Sequence, residues 1–421
     1  PDAIAYYEKP LLKKSRMILH GGSSDWNPTF PIDVPVHYFK HHYSHAAAGY
    51  YTSAFNDAVI VVLDAIGEYN TSTIWAGEGD KIKLKYKQNY PVSFGLFYSA
   101  FTQLIGLMPN QEEYIMMGMA AYGDWRRYYK EIDEYFPEYD QQKYNFHKGI
   151  NDWGMVITEQ DKFDIAAAVQ VVYEQRLNQF MRMAKSLTGK NNLVFMGGCA
   201  LNSSANTLLW NIFDMIWIMP NPGDAGNSLG AAALGYGRKL NWKTAFLGTD
   251  IVGVYPIIET IKALKKDKIV GIASGRAEFG PRALGTRSLL ADPRGSKIKS
   301  QVNKIKKRQQ FRPFAPMILE ELVDDYFDMP KNWKNSPYMQ VTAPCKHPKK
   351  FPAIVHKDGT SRVQTVPDDG SGIRRLLEAW HEKTGCPILL NTSLNVRGEP
   401  MVNDRSDADR FEKLYGTRVI S

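Results

Sequence analysis

NLVFMGG (residues 192–198) and DMIWIMPNPGDAGNSLGAAALGYG (residues 214–237) follow one another along the chain, and together they decide its fold. Each stretch begins with a short apolar run, continues into a turn rich in glycine, and leads into a helix. Strands that alternate with helices in this way are typical of layered α/β proteins. The pattern therefore predicts a sheet covered by helices, with loops at the strand ends available to a ligand.

Three further strands are predicted before these two stretches. AVIVVL (58–63) forms an apolar run that ends at Asp64, and TSTIWAG (71–77) and KIKLKYK (81–87) flank a turn that contains a glycine and an aspartate. Residues 161–188 carry apolar side chains at helical spacing, with a glycine directly after them as a stop signal. The first half of the chain therefore has the elements of a complete α/β domain.

A domain boundary is predicted where the alternation stops, at residues 240–262. It resumes with KIVGIASG (268–275), which begins a second α/β unit. We therefore divide the chain into residues 1–245 and residues 246–421, each long enough to bury a core of its own.

Charge is distributed unequally between the two halves. Residues 1–240 contain 21 lysine and arginine residues against 24 aspartate and glutamate residues, and the rest of the chain contains 31 against 20. Between Pro293 and Arg312 there are eight basic residues and no acidic one. Such a run is found on solvated basic faces and also in pockets that bind phosphate groups.

Cysteine content and hydropathy limit the class of protein. Cys199, Cys345 and Cys386 lie far apart, so they form neither a disulfide framework nor a paired zinc motif, which favours a reducing compartment. No apolar run reaches the roughly 18–20 residues of a membrane span, and no signal peptide opens the chain. We expect a cytoplasmic protein without a membrane partner, and the sequence leaves its oligomeric state open.

The first candidate site is HHYSH (41–45). In a helix, His41 and His45 lie four residues apart on one face, a spacing that lets two imidazoles bind one metal ion. Asp64 and Asp224 each follow a predicted strand, and they would complete a mixed nitrogen and oxygen site suited to Fe, Mn or Zn. The motif by itself is equally compatible with ordinary histidines of the surface or the core.

Two glycine turns, Gly197-Gly198 and residues 223–226, are candidates for phosphate binding through backbone N–H groups, although such turns also occur without ligands. Four segments of the second half are richer in donors. Guanidinium groups among small and turn-forming residues can hold an anion in bidentate fashion, which favours an anion site over a solvated face. The segments are GRAEFGPRALGTRSLLADPR (275–294), NKIKKRQQFRPFAPM (303–317), HKDGTSRVQTV (356–366) and NTSLNVRGEPMV (391–402).

These four segments resemble signatures of the O-carbamoyltransferase family of nodulation-factor and antibiotic biosynthesis. In the first half, HHYSHAAA, VVLDAIGE, EEYIMMGMAAYG, FMGGCALN and NPGDAGNSLGAAA resemble the same family in the same order. The resemblance implies an N-terminal domain of the actin-like ATPase superfamily and a C-terminal YrdC-like domain. It also implies about one more strand–helix segment before Pro1.

The resemblance further implies an activity and a role for each candidate residue. The YrdC-like domain would make carbamoyl-adenylate from carbamoyl phosphate and ATP, with Mg²⁺ accompanying ATP, and the first domain would transfer the carbamoyl group to a hydroxyl at a divalent metal, with Fe preferred over Mn or Zn. The metal ligands would be His41, His45, Asp64 and Asp224. The catalytic residues would be His42, as one candidate base beside the metal carboxylates, with Arg282, Lys306 and Arg312. The residues that bind the nucleotide or carbamoyl phosphate would be Gly197, Gly198, Asn202, Arg276, Arg287, Arg308, Arg362, Asn391, Ser393, Asn395 and Arg397.

Other readings remain at this point. A threonylcarbamoyl-transfer enzyme acting on tRNA would share the metal domain, and hydrogenase-maturation carbamoyl transfer would share both domain types but adds zinc fingers, which three scattered cysteines do not supply. A basic nucleic-acid-binding module would need aromatic and basic residues on one exposed face. Among acceptors, a small-molecule hydroxyl such as that of a sugar or nucleoside is preferred, and a hydroxymethylated base in DNA stays open.

Overall fold

The computed structural model describes residues 2–19, 25–330, 333 and 335–421. Two compact units make up the chain, Pro1–Lys243 and Thr244–Ser421, here called the N-terminal and C-terminal units. Each unit packs helices against a β-sheet, so the predicted α/β class is confirmed. Among the described residues, no helix has the length and apolar character needed to cross a membrane.

The N-terminal unit contains seven strands and eight α-helices among its described residues. The strands are β1 (Ile4–Tyr6), β2 (Val36–Tyr38), β3 (Asp57–Gly67), β4 (Asn70–Glu78), β5 (Lys81–Asn89), β6 (Asn192–Met196) and β7 (Met215–Trp217). The helices are α1 (Pro10–Leu19), α2 (His41–Thr52), α3 (Phe94–Leu104), α4 (Glu113–Met119), α5 (Tyr129–Asp133), α6 (Glu159–Thr188), α7 (Ser203–Asn206) and α8 (Asn227–Tyr236). Short 3₁₀ turns include Gly198–Leu201 and Asp224–Gly226.

Five of these strands form one mixed sheet in the order β5-β4-β3-β6-β7. β3, β4 and β5 are antiparallel neighbours, whereas β6 and β7 run parallel to β3. The strands predicted at 58–63, 71–77, 81–87 and 192–198 are therefore confirmed. The predicted long helix is confirmed as α6, which ends at Gly189 in a left-handed conformation with φ 66°.

β3 lies at the centre of this sheet and is buried along most of its length because helices cover it. α2, α3 and α6 all contact β3, and α8 packs against α2. The approach of α8 to α2 is close: a Cβ added at Gly230 would stand 1.8 Å from the carbonyl oxygen of Ser44. Only glycine fits there, so the small-residue composition of α8 is what lets it rest directly on the helix that carries the HHYSH motif.

The C-terminal unit contains ten strands and five α-helices among its described residues. The strands are β8 (Phe246–Ile251), β9 (Ile269–Ala273), β10 (Gly275–Glu278), β11 (Arg287–Ala291), β12 (Ala315–Leu319), β13 (Thr342–Pro344), β14 (Thr360–Arg362), β15 (Gln364–Val366), β16 (Ile388–Ser393) and β17 (Val419–Ile420). The helices are α9 (Ile257–Asp267), α10 (Ile298–Ile305), α11 (Val323–Tyr326), α12 (Gly372–Thr384) and α13 (Arg405–Tyr415).

A six-stranded sheet in the order β15-β12-β16-β11-β9-β17 forms the body of this unit, and each of its faces has a core of its own. Because side chains alternate across a strand, Leu289 and Leu290 of β11 enter different cores. Leu289 packs with apolar residues of α10 and α13, and Leu290 packs with those of α9 and α12. The sheet is therefore covered by helices on both faces.

One sequence interpretation differs from the structure. Residues 240–262 were expected to interrupt the alternation of strands and helices. They contain β8 and the first part of α9. β8 carries no alternating signal because four of its six residues are exposed, and it pairs only with the short strand β10 in a separate two-stranded sheet. Along the chain the division between the two units falls between Lys243 and Thr244, before β8 and within residues 240–262.

Candidate metal centre and anion site

His41 and His45 open α2, and both side chains are almost fully buried. The Nε2 atoms of the two rings lie 3.2 Å apart. Asp64 comes from β3, whose end is pressed against the histidines: a Cβ added at Gly67 would stand 2.3 Å from Cδ2 of His41. A glycine at this strand end is therefore required for the imidazoles and the aspartate to meet.

Two carboxylates complete the cluster. Oδ2 of Asp64 lies 3.3 Å from Nε2 of His41 and 3.1 Å from Nε2 of His45. Oδ1 of Asp224, which is carried by the turn after β7, lies 3.1 Å and 3.2 Å from the same two nitrogens. The four side chains each offer one possible metal ligand, and all four ligand atoms lie within 4.8 Å of one another. Among the described residues, this is the group of histidine, cysteine and acidic side chains that meets this distance. We call it the histidine–aspartate cluster.

The electrostatics of the cluster fit a cation. Burial disfavours both charged forms, yet hydrogen bonds to Asp224 and Asp64 hold the pKa of His41 well above its ordinary value. Burial likewise opposes the ionised form of Asp64, but the two histidines hold its pKa well below the usual range. Two imidazole nitrogens and two carboxylate oxygens are a donor set suited to Fe²⁺, Mn²⁺ or Zn²⁺. The chemistry of these residues therefore fits the implied metal.

Exposure is uneven across the cluster. The side chain of Asp64 is 12% exposed and those of both histidines less than that, whereas the side chain of Asp224 is 60% exposed. His41, His45 and Asp64 are thus largely shielded from solvent, whereas Asp224 is exposed to it. Asp224 is therefore the member of the cluster most open to solvent.

His42 differs from its two neighbours. Its ring is 2% exposed, and Nδ1 lies 3.0 Å from Oγ1 of Thr73, which accepts a hydrogen bond from the indole of Trp75. Burial and the neighbouring His41 hold the pKa of His42 well below its ordinary value. These contacts bury His42 directly beside the cluster, and its role as one candidate base stays a prediction.

The three residues expected along the nucleotide lie on the loop after β6. Gly197 has φ 90°, and a Cβ there would stand 2.0 Å from the carbonyl oxygen of Leu63, so the turn requires glycine. A Cβ at Gly198 would stand 3.3 Å from Oδ1 of Asp64, which brings this loop next to the histidine–aspartate cluster. Asn202 exchanges hydrogen bonds with the side chain of Gln170 on α6 and begins helix α7.

Two residues beside the cluster, Tyr7 and Glu8, could not be identified from the sequence. Glu8, two residues after β1, is 6% exposed, and its Oε1 lies 3.6 Å from Nδ1 of His41. The ring of Tyr7 lies 5.8 Å from that of His41, and burial followed by the charge of Glu8 raises the pKa of Tyr7 to about 12. No local spacing signal connects YYEKP with a motif more than thirty residues later.

In the C-terminal unit, five basic side chains influence one another: Arg282, Lys306, Arg308, Arg312 and Arg362, here called the cationic cluster. Lys306 is the most buried of the five, at 4% exposed. The Lys306 ammonium donates to the carbonyl oxygen of Ser393 (2.5 Å) and to its hydroxyl (3.1 Å), and to the carbonyl and side-chain oxygens of Asn395 (2.9 Å each). Lys306 therefore holds the segment that carries Ser393 and Asn395, two of the predicted ligands.

The arginines of the cationic cluster repel one another. Burial, followed by the charge of Arg312, lowers the pKa of Arg282 to about 10. Burial and the charges of Arg282, Arg308 and Arg312 hold the pKa of Arg362 well below its ordinary value. The buried Nε of Arg362 also lacks a hydrogen-bond partner. Like charges held together in this way are stabilised when an anion binds among them.

Four predicted ligands have other surroundings. The guanidinium of Arg287 is fully buried and donates to the backbone carbonyl oxygens of Asn403, Ser274, Thr286 and Thr249. Asn391 is buried and donates to the carbonyl of Ala283 and to Gln364. Arg276 on β10 and Arg397 after β16 are exposed. The side chains of Arg287 and Asn391 therefore donate hydrogen bonds to other groups of the protein and stabilise the surrounding loops.

Glu278, at the end of β10, is a further residue whose role could not be predicted from the sequence. Its Oε1 accepts hydrogen bonds from the backbone N–H groups of Leu284 (2.7 Å), Thr286 (3.0 Å) and Arg287 (3.2 Å). The loop that carries Arg282 therefore closes on one buried carboxylate. A single acid in an arginine-rich motif gives no signal of this role, because its partners are backbone groups.

Comparison with known families gives both units the same class. The family model described as the carbamoyltransferase N-terminus matches residues 29–233, and the one described as the carbamoyltransferase C-terminus matches residues 261–419. Together these matches cover most of the chain. The chain therefore belongs to the carbamoyltransferase family and is a carbamoyltransferase.

Its relatives include several nodulation proteins. Nodulation protein NolNO of Sinorhizobium fredii is 30% identical over 97% of this chain and 68% of its own length. Nodulation protein NolO of Bradyrhizobium diazoefficiens is 31% identical over 88% of this chain and 75% of its own. The solved structure of HypF from T. kodakarensis aligns with a TM-score of 0.27 at 14% identity, over 48% of this chain and 37% of that one.

Proposed function

We propose that this carbamoyltransferase works in two steps at two separate sites. The C-terminal unit makes carbamoyl-adenylate from carbamoyl phosphate and ATP, and the N-terminal unit transfers the carbamoyl group to an acceptor hydroxyl at a divalent metal. The observation that carries the proposal is the histidine–aspartate cluster, in which four side chains from α2, β3 and the turn after β7 converge on one point.

The cationic cluster supports the first step. Carbamoyl phosphate and Mg²⁺-bound ATP bring several negative charges together, and clustered arginines offset their repulsion while orienting the reacting atoms. In the proposed reaction, water cleaves carbamoyl phosphate into carbamate and phosphate. A carbamate oxygen then attacks the α-phosphorus of ATP, and pyrophosphate leaves. Arg282, Arg312 and Arg362 are the candidates for phosphate contacts, with Lys306 holding Ser393 and Asn395 beside them.

The histidine–aspartate cluster supports the second step. A divalent cation bound there would supply Lewis-acid chemistry at the carbamoyl group, and Fe²⁺ is favoured by the family resemblance, with Mn²⁺ and Zn²⁺ also suited to the donors. His41, His45 and Asp64 close one side against water. Asp224, the exposed member, stands where an acceptor hydroxyl would arrive and is the candidate to receive its proton. As the new bond to the acceptor oxygen forms, the bond from the carbamoyl carbon to the adenylate oxygen breaks and AMP leaves.

A small-molecule hydroxyl is the acceptor we favour. Several relatives are named nodulation proteins, and the family resemblance includes nodulation-factor biosynthesis. Residues 1–240 carry a slight acidic excess, which does not attract a polyanion. A hydroxymethylated base in DNA is the second candidate, since the basic excess of the remaining residues would attract it.

Incubation without any acceptor tests the first step. Purified protein with ATP and carbamoyl phosphate should release pyrophosphate and accumulate carbamoyl-AMP, detected by mass spectrometry. Omitting carbamoyl phosphate is the control and should stop both signals. The absence of carbamoyl-AMP with both substrates present would contradict the proposal. Sugars, nucleosides and a hydroxymethylated oligonucleotide are then added in turn, and the product is sought as a mass gain of one carbamoyl group.

A further inference from the structure

The buried carboxylate of Glu8 lies behind the histidine–aspartate cluster. Its Oε1 is 3.6 Å from Nδ1 of His41, within ion-pair range and slightly longer than a hydrogen bond. Its Oε2 is 2.5 Å from the ammonium of Lys13, one turn into α1. The side chain of Glu8 is 8% exposed. A buried acid held by one lysine and aimed at one imidazole needs an explanation beyond stability, because burying a charge is costly.

The segment that carries Glu8 is fastened to the end of β3. The backbone N–H of Lys9 donates to Oε1 of Glu68 (2.8 Å), and the guanidinium of Arg16 donates to the carbonyl of Glu68 (3.2 Å). The hydroxyls of Ser15 and Tyr69 share a hydrogen bond of 2.8 Å. The β3–β4 turn thus holds β1 and α1 on the side of His41 opposite the carboxylates.

The two nitrogens of His41 have different surroundings. Nε2 faces His45, Asp64 and Asp224, so it is the nitrogen available to a metal. Nδ1 must then carry the proton, and a buried N–H needs an acceptor. Acceptors of this kind behind a ligating histidine fix its tautomer and ring orientation. Nδ1 of His41 and Nδ1 of His45 are both buried without a hydrogen-bond partner, and the Glu8 carboxylate lies 3.6 Å from Nδ1 of His41.

We infer that Glu8 is a positioning residue that holds His41 with Nε2 towards the metal, and that Lys13 keeps the Glu8 carboxylate in place. The inference rests on the proposed function, since it presupposes that the histidine–aspartate cluster binds a divalent ion. It makes residues 4–19 part of the metal centre although they contribute no ligand. The sequence motif YYEKPLLK then has a function that its distance from HHYSH conceals.

Metal affinity tests this role independently of catalysis. Metal-free wild type and the variants Glu8→Ala, Glu8→Gln and Glu131→Ala are titrated with Zn²⁺ against a competing chelator. Glu8→Ala should bind about 10–100-fold more weakly, the range typical of losing such a partner. Glu8→Gln should recover part of the affinity, because its amide oxygen can still accept from Nδ1–H while its NH2 group cannot accept from the Lys13 ammonium. Glu131 is an exposed acid of the same unit, so Glu131→Ala should match wild type.

A second variant covers the case in which Glu8→Ala does not fold. Lys13→Met removes the partner that anchors Glu8 and leaves every proposed ligand in place, so it should also weaken Zn²⁺ binding. Glu8→Ala with wild-type affinity would overturn the inference, as would a loss of stability in the metal-free protein with affinity unchanged. If wild type itself binds no divalent ion at His41 and His45, the proposed function fails first, and that result is distinct from either of these.

Discussion

Replacing Glu278 with alanine should disrupt the C-terminal unit through three backbone groups at once. Its carboxylate accepts from the N–H groups of Leu284, Thr286 and Arg287 at 2.7–3.2 Å, and all three residues are buried. Each donor left without an acceptor costs about 1–3 kcal/mol. Partial relaxation of the loop lowers the sum, so we expect a loss of about 3–6 kcal/mol in the free energy of unfolding of this unit.

Two measurements separate this effect from a general loss of charge. Hydrogen exchange should show faster exchange in a peptide covering residues 279–288, and urea unfolding should show the lower stability. Glu259→Ala, an exposed acid on α9, is the matched control and should change neither. Because Arg282 lies on the same loop, carbamoyl-adenylate formation should fall as well. Unchanged protection and stability in Glu278→Ala would refute the role assigned to this carboxylate.

Three further changes should have distinct results. Gly230→Ala places a Cβ 1.8 Å from the carbonyl oxygen of Ser44, so α8 must move away from α2. We expect a loss of roughly 1–3 kcal/mol in the free energy of unfolding, together with weaker metal binding. A thermal stability equal to that of the wild type would contradict this expectation. Arg362→Met removes one of several mutually repelling cations, so the protein without anions should keep its thermal stability while the stabilisation by added phosphate shrinks; an unchanged phosphate effect would exclude Arg362 from the anion site. Dialysis against a chelator should abolish transfer to an acceptor and leave carbamoyl-AMP formation intact, measured on the same sample before and after Zn²⁺ or Fe²⁺ is restored.

Most of the architecture could be predicted because its signals are local. The apolar run at 58–63 and the periodicity of 161–188 gave β3 and α6 directly. The four predicted ligands His41, His45, Asp64 and Asp224 do converge, because α2 packs against β3 and the turn after β7 lies near both. Convergence of residues far apart in sequence depended on the family resemblance, since the HxxxH spacing alone was indecisive.

What could not be predicted depends on partners that leave no local pattern. Arg282 and Arg287 lie in one motif and look equivalent in sequence. Arg287 donates to four backbone carbonyl oxygens, whereas the charge of Arg312 contributes to the lowered pKa of Arg282. Glu8 and Glu278 each act on groups distant in sequence or on backbone N–H groups. β8 was not predicted because four of its six residues are exposed, so its sequence shows no alternation of apolar and polar residues. α9, which follows β8, was not predicted either.

Separation of the two half-reactions tests the two-site account most directly. Carbamoyl-AMP formation and acceptor carbamoylation are measured in parallel for wild type, His41→Ala and Arg312→Ala. The account predicts that Arg312→Ala makes no carbamoyl-AMP, because the multiply charged substrates lose a partner worth about 2–4 kcal/mol. It predicts that His41→Ala makes carbamoyl-AMP at close to the wild-type rate and transfers none of it. Failure of both variants at the same step would contradict the assignment of adenylation and transfer to different units.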